Sequence, residues 1–368
     1  LIHEAHGDAC RLGYLRVISV LSHDSESTSF DYLASLLLEV SRRVRKPEGG
    51  GHLTGLINGQ VNARNYVTLA SETGVLDRKT QTLGKFGHTY NALSSAAPYH
   101  EAVTGKADLD CETLVGLKPV EKVFFLHALL LHDYPFLSEM ILWAISKGHF
   151  TRGEAMEHVM EAIYPEALLR SLPLVEPRRR PMIMKEAEEA RELRQRRLSF
   201  SSKADWIRGR QYAKYRHMVP PRLEWLVDLG ILLREGRGKF SVASRLVEAS
   251  RTLEGSLRQP FKRVEEEFFA SFVPLMVEAR PAAKEEVEQE LVDAYNRYVT
   301  ERNGRLQLDV LDLVTCYSLM EKGKLASPTV VHRAFNNIAI RYPDKVFVAP
   351  GPRGTVEIAR IELSAAEL

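Results

Sequence analysis

Residues 212–242 read YAKYRHMVPPRLEWLVDLGILLREGRGKFSV, and the order of signals in that stretch sets the fold. Pro220-Pro221 opens a short amphipathic helix in which Leu223, Leu226 and Val227 point inward and Arg222 outward. Gly230 stops the helix. Residues 231–233 follow as an apolar strand, Arg234-Glu235-Gly236-Arg237-Gly238-Lys239 as a tight turn, and residues 240–242 as the returning strand. Glu224 and Asp228 share the helix and would repel phosphates, whereas Lys214, Arg216, Arg234, Arg237 and Lys239 make its approach and its turn basic. Contact with an anion is therefore expected from the turn before the helix.

The same grammar occurs once upstream and once downstream. Upstream, residues 29–44 carry Leu33, Leu36, Leu37 and Val40 at helical spacing. Asn62 is placed to cap a further helix that ends near Gly74. Its stripe of Ala63, Tyr66, Val67 and Ala70 faces a core, leaving Arg64, Asn65 and Thr68 outward, and Asp77-Arg78-Lys79-Thr80 turns between two short strands. Downstream, residues 306–321 form a helix ended by Gly323, and Ser327-Pro328 supplies the cap and first turn of the next. Val331, Ala334, Phe335 and Ile338 face in, while His332, Arg333, Asn336 and Asn337 face out. Two strands then flank Pro350-Gly351-Pro352-Arg353-Gly354, with Arg353 at the tip. A helix fits the major groove, Arg, Asn and Thr match base edges, and a basic turn reaches phosphate.

These units together resemble the winged helix-turn-helix superfamily over residues 29–93, 120–247 and 306–363. The resemblance implies three-helix cores, each with a two-stranded wing, and double-stranded DNA binding through the third helix. The expected fold is mainly α with small β-hairpin wings, in tandem winged-helix domains joined by helical linkers. The divisions are an N-terminal segment (1–28), a first unit (29–93), a connection (94–119), a second unit (120–247), a helical linker (248–303) and a third unit (304–368).

The second unit departs most from the pattern, because an Arg-rich insertion, residues 173–200, interrupts it. Arg178, Arg179 and Arg180 lie between two prolines and cannot belong to a regular helix interior. They read as a solvated linker before a charged helix, with an extended run along phosphates as the alternative. Ahead of them, residues 120–132, 136–147 and 152–164 read as helices, with Thr151 and Glu154 at capping-box spacing. Residues 253–277 read as one helix that Pro260 and Pro274 kink or divide, and Pro281 as the first turn of the next. The stripe Val287, Leu291, Ala294, Tyr295 and Tyr298 suits a spacer or a homodimer surface within 248–303.

A net charge of +2 over 368 residues demands that any phosphate-binding cations be segregated into patches. No apolar run approaches the ~20 residues that span a bilayer, so no membrane partner is expected. Cys10, Cys111 and Cys316 are too scattered for a disulfide framework, which fits a cytoplasmic, nucleoid-associated protein. The chain opens Leu-Ile-His-Glu-Ala-His, without an initiator Met or a secretion signal, as a piece of a longer protein would.

His3-Glu4-Ala5-His6 lacks the spacing of a zincin motif, and no phosphate-binding GxxxxGK[ST] loop or GxSxG elbow is present. Pro343-Asp344 with Glu357-Ile358-Ala359 approaches a metal-dependent nuclease pattern, but Ala359 stands where a lysine is required. No catalytic residue, cofactor or metal is expected. The sequence favours a non-enzymatic DNA-binding protein: a regulator, a chromosome or plasmid factor, or a mobile-element or defence component. The alternatives are a scaffold of winged helices that binds partner proteins, and the recognition part of a nuclease system with catalysis elsewhere.

Overall fold

The computed structural model describes residue 2 and residues 9–23, 27–44, 56–259, 264–299, 306–350 and 357–368. It is mainly helical with small sheets, as expected.

In the first third, α1 (Gly13–Leu21), α2 (Phe30–Arg43) and α3 (Gln60–Glu72) pack together ahead of a hairpin of β1 (Leu76–Asp77) and β2 (Thr82–Leu83). The Ser29 hydroxyl caps α2 by accepting from the Tyr32 amide at 3.3 Å. Helix α3 starts two residues before the expected cap at Asn62, with Gly59 in the cap position, and its stripe Ala63, Tyr66, Val67 and Ala70 is buried as read. Helix α1, in the stretch set apart as an N-terminal segment, is buried from Gly13 to Val20. Then come α4 (Lys85–Asn91), α5 (Ala97–Val103) and α6 (Cys111–Val115).

The middle begins with α7 (Pro119–Lys147), one rod broken where expected: Asp133 leaves helical geometry (φ −126°, ψ 22°) just before Pro135. Next are β3 (His149–Thr151), α8 (Arg152–His158) and α9 (Tyr164–Ser171). The capping box is present, the Glu154 amide donating to Thr151 Oγ1 at 3.2 Å and the Thr151 amide to Glu154 Oε2 at 2.7 Å.

The charged helix expected after Arg178–Arg180 is present as α10 (Arg180–Arg191) and α11 (Leu193–Leu198), and α12 (Lys203–Arg208) follows the insertion. Arg178 and Arg179 lie in a 3-10 turn, and Arg180 begins α10, where Pro181 is tolerated in the first turn. Ile183, Ala187 and Ala190 are buried, and α10 packs on α9.

Helix α13 (Arg210–Asp228) corrects a second expectation. It begins ten residues before Pro220 and runs through both prolines. Residues 218–226 are buried without exception, and that burial offsets the ~3 kcal/mol an interior proline costs. The carbonyls deprived of amide partners belong to Arg216 and His217, whose side chains are exposed. Strands β4 (Leu232–Gly236) and β5 (Lys239–Val242) close the region, and β5 lies between β4 and β3, with Phe150 opposite Phe240.

In the last third α14 (Ser244–Glu248) comes first, and the stretch expected to be kinked or divided by its prolines is divided into α15 (Ser250–Leu257), α16 (Val264–Ser271) and α17 (Val273–Met276), with Pro274 in the first turn of α17. Pro281 lies in β6 (Arg280–Pro281), three residues before α18 (Lys284–Val299), because the chain there pairs in parallel with β8 (Lys324–Leu325). Strand β7 (Leu306–Gln307), α19 (Leu308–Glu321), α20 (Pro328–Arg341), β9 (Val346–Pro350) and β10 (Glu357–Ile361) complete the order, with β10 between β7 and β9. The stripe of α18 is not a free surface for a homodimer. Val287, Leu291, Ala294, Tyr295 and Tyr298 are buried within the chain, where α18 packs on α19 and α20.

The apolar core is continuous through all three regions. Tyr317 of α19 meets His127 of α7, with the hydroxyl 2.8 Å from Nδ1. Glu321 of α19 accepts from the Ser95 amide at 2.9 Å.

Candidate nucleic-acid interface

In the first region the helix face is less cationic than its sequence suggests. Arg64 Nε lies 2.9 Å from Asp31 of α2, and Asn65 and Thr68 are half-buried, with Thr68 Oγ1 donating back to the Arg64 carbonyl. At the hairpin, Arg78 pairs with Glu72 at 3.3 Å, while Lys79 is exposed. Two amides of that turn, those of Lys79 and Thr80, donate to Asp77 and hold its carboxyl below the usual range.

A cleft of about 570 Å³ separates this hairpin from α7, and Arg78, Lys79, Lys85 and His132 are among its lining residues. Gly74 takes φ +72° at the cleft's edge, and a Cβ there would stand 3.0 Å from the His132 ring. The backbone conformation favours glycine there, and a side chain would press on the His132 ring.

In the middle region Arg222 is the clearest correction to the expected site. It is wholly buried: Nε donates to Asp133 at 2.7 Å, Nη1 to the Met218 carbonyl at 2.7 Å and Nη2 to the Ile2 carbonyl at 2.8 Å. Its guanidinium lies 4.2 Å from the Phe136 ring centre. The reason is the chain's own beginning, which crosses α13. Trp225 Nε1 donates to the Ala9 carbonyl at 2.7 Å, and Asp228 accepts from the Leu12 amide at 2.9 Å. Glu224, expected to repel phosphates, is also buried and is held by Arg152 and Arg234. The C-terminal half of α13 therefore offers no face for a groove.

Lys214 is half-buried and pairs with Glu186 at 2.8 Å, and Arg178 pairs with Glu176 at 2.8 Å. Arg179, Arg180, Arg216, Arg237 and Lys239 are exposed.

In the last region α20 presents Arg333 and Asn336 to solvent, one turn apart, with Asn337 half-buried beside them. His332 is turned back to Asp312 of α19, its Nδ1 3.1 Å from the carboxylate. Burial pushes the Asp312 carboxyl up to about 6, against the pull of His332. Arg353 lies outside the described residues.

Sequence reasoning missed Arg194, Lys203, Arg208 and Arg210, which are exposed on α11, on α12 and on the start of α13. Their signal was a run of cations with few carboxylates: Arg194 lay in the charged helix read over 185–197, and Lys203, Arg208 and Arg210 fall between the 173–200 insertion and the 212–242 stretch, where no motif marks them. Among the described residues, no three His, Cys, Asp or Glu side chains are grouped to hold a metal, and no helix is long and apolar enough to cross a membrane. Compared with family models, curated proteins and solved structures, the chain matches none.

Proposed function

We propose that this chain is a non-enzymatic double-stranded DNA-binding protein whose winged-helix units present a helix and a hairpin to the duplex. One observation carries the reading: a related order of elements occurs twice, interrupted in the middle region by α9–α12. There α7, β3 and α8 are followed, after that interruption, by α13 and the β4–β5 hairpin; in the last region α18, β7 and α19 are followed, after β8, by α20 and the β9–β10 hairpin. In both, the first strand pairs with the returning strand of the hairpin. The clustering of α1, α2 and α3 before the β1–β2 hairpin is a simpler relative of it. Helix α20 is the best reader of the set. Its exposed Arg333 and Asn336 carry the donors and acceptors that match guanine and adenine edges.

Fluorescence anisotropy with labelled duplex, single-stranded and random-sequence DNA across a salt series tests the proposal. Duplex binding whose log affinity falls linearly with log salt is expected. Replacing Arg333 and Asn336 together with Ala is expected to weaken duplex binding by about tenfold or more. Absence of duplex binding at low salt would overturn the reading. It would favour a protein-binding scaffold, for which Ile340 is 78 % exposed on the same helix and Phe347 and Val348 are exposed on β9.

A further inference from the structure

Charge in this protein is concentrated in one short run. Residues 191–216 hold nine Lys or Arg against two Asp or Glu, a net +7, which leaves the other 342 residues with 41 against 46, a net −5. The run comprises α11, α12 and the first turns of α13, folded around Trp206. The ring of Trp206 lies 5.0–5.9 Å from those of Phe200, Tyr212 and Tyr215.

The nine cations divide into two sets. Arg191, Arg196, Arg197 and Lys214 each pair with a carboxylate: Glu166, Glu192, Glu161 and Glu186. Arg194, Lys203, Arg208, Arg210 and Arg216 are exposed and make no ion pair with any described residue. Three pairs of the first set tie the run to Glu161, Glu166 and Glu186. The second set carries uncompensated positive charge.

We propose that the 191–216 run is a sequence-neutral contact for the phosphate backbone of duplex DNA, engaged through Arg194, Lys203, Arg208, Arg210 and Arg216. The proposal rests on the DNA-binding reading above and assigns the middle region's contact to residues 191–216 instead of the buried half of α13. Duplex DNA carries about one negative charge per 1.7 Å of axis, so five uncompensated cations complement it by charge. Phosphate contacts position a protein without reading sequence. An anionic membrane surface fits less well. Such binding needs a broad apolar face, whereas Leu198 and Ile207, the exposed large apolar residues of this run, sit on separate six-residue helices.

The test uses the full chain with all five cations replaced by Gln, measured by anisotropy on duplex DNA over a salt series beside the Arg333/Asn336 double variant. All five side chains are exposed, so the melting curve is expected to stay at the parent's position. The slope of log affinity against log salt is expected to fall by about 0.9 for each phosphate that the variant no longer neutralises. That weakening is expected on specific and random duplexes alike, while the α20 variant keeps the parent's slope. A quintuple variant with unchanged slope and affinity would overturn this contact while leaving duplex binding intact. A parent chain that binds no duplex would remove both proposals. Stronger capture by phosphatidylserine-containing vesicles than by duplex, abolished in the quintuple variant, would reassign the patch to a membrane surface.

Discussion

Arg222 and Asp133 show what a charged side chain does when the fold takes it out of water. Each partner is fully buried, and the guanidinium spends its donors on Asp133, on the Met218 carbonyl and on Ile2. Removing one partner strands the other charge in the interior, so Arg222→Ala is expected to cost about 3–5 kcal/mol in urea unfolding. A loss under about 1 kcal/mol would show that water reaches Asp133. Asp228 is a different case. Burial pushes its carboxyl up to about 7, although Arg11 lies 2.9 Å away and opposes the shift. The folded state therefore holds a proton between about pH 4 and pH 7 that the unfolded chain releases, and this group's contribution to stability falls as pH rises through that window. Asp228→Asn escapes the cost of a buried carboxylate. Its stability relative to the parent is expected to improve from pH 5 to pH 8 in paired melts. A variant that instead loses ground to the parent as pH rises would mean that the Arg11 ion pair outweighs desolvation.

At the level of elements, the sequence spoke clearly where one periodicity and one punctuation mark agreed. Ser327-Pro328 and the stripe Val331, Ala334, Phe335 and Ile338 placed α20, and Thr151 with Glu154 placed the start of α8. It misled where local and tertiary signals conflicted. Pro220 and Pro221 read as a helix start, yet the packing of residues 218–226 carries α13 through them. The stripe of α10, Ile183, Ala187 and Ala190, has helical spacing, but two alanines among Arg and Glu make a faint apolar signal. The candidate site was legible on the same terms. The outward places of Arg333 and Asn336 follow from the helix period alone. The burial of Arg222 follows from residues 2 and 9–12 crossing α13, a contact across more than two hundred positions that no local pattern encodes.

For the whole molecule, the issue is whether its three regions behave as three domains. Tandem units on flexible linkers would each unfold at their own midpoint. Here the expected linkers are packed helices, and the apolar core runs through all three regions. Polar ties cross the boundaries as well: His127 to Tyr317, Ser95 to Glu321, and the chain's beginning to α13 through Trp225 and Asp228. Separating the regions would break these ties and open the shared core together, so a single cooperative transition is expected. The placement of tryptophan makes the test clean. The chain's three, Trp143, Trp206 and Trp225, all lie in the middle region, so their fluorescence reports on that region while far-UV circular dichroism averages over every helix. In a urea titration the two probes are expected to give superimposable curves with one midpoint. A fluorescence transition displaced from the dichroism transition, or a plateau in the dichroism, would show that the first or last region unfolds by itself and that the boundary contacts are too weak to couple them.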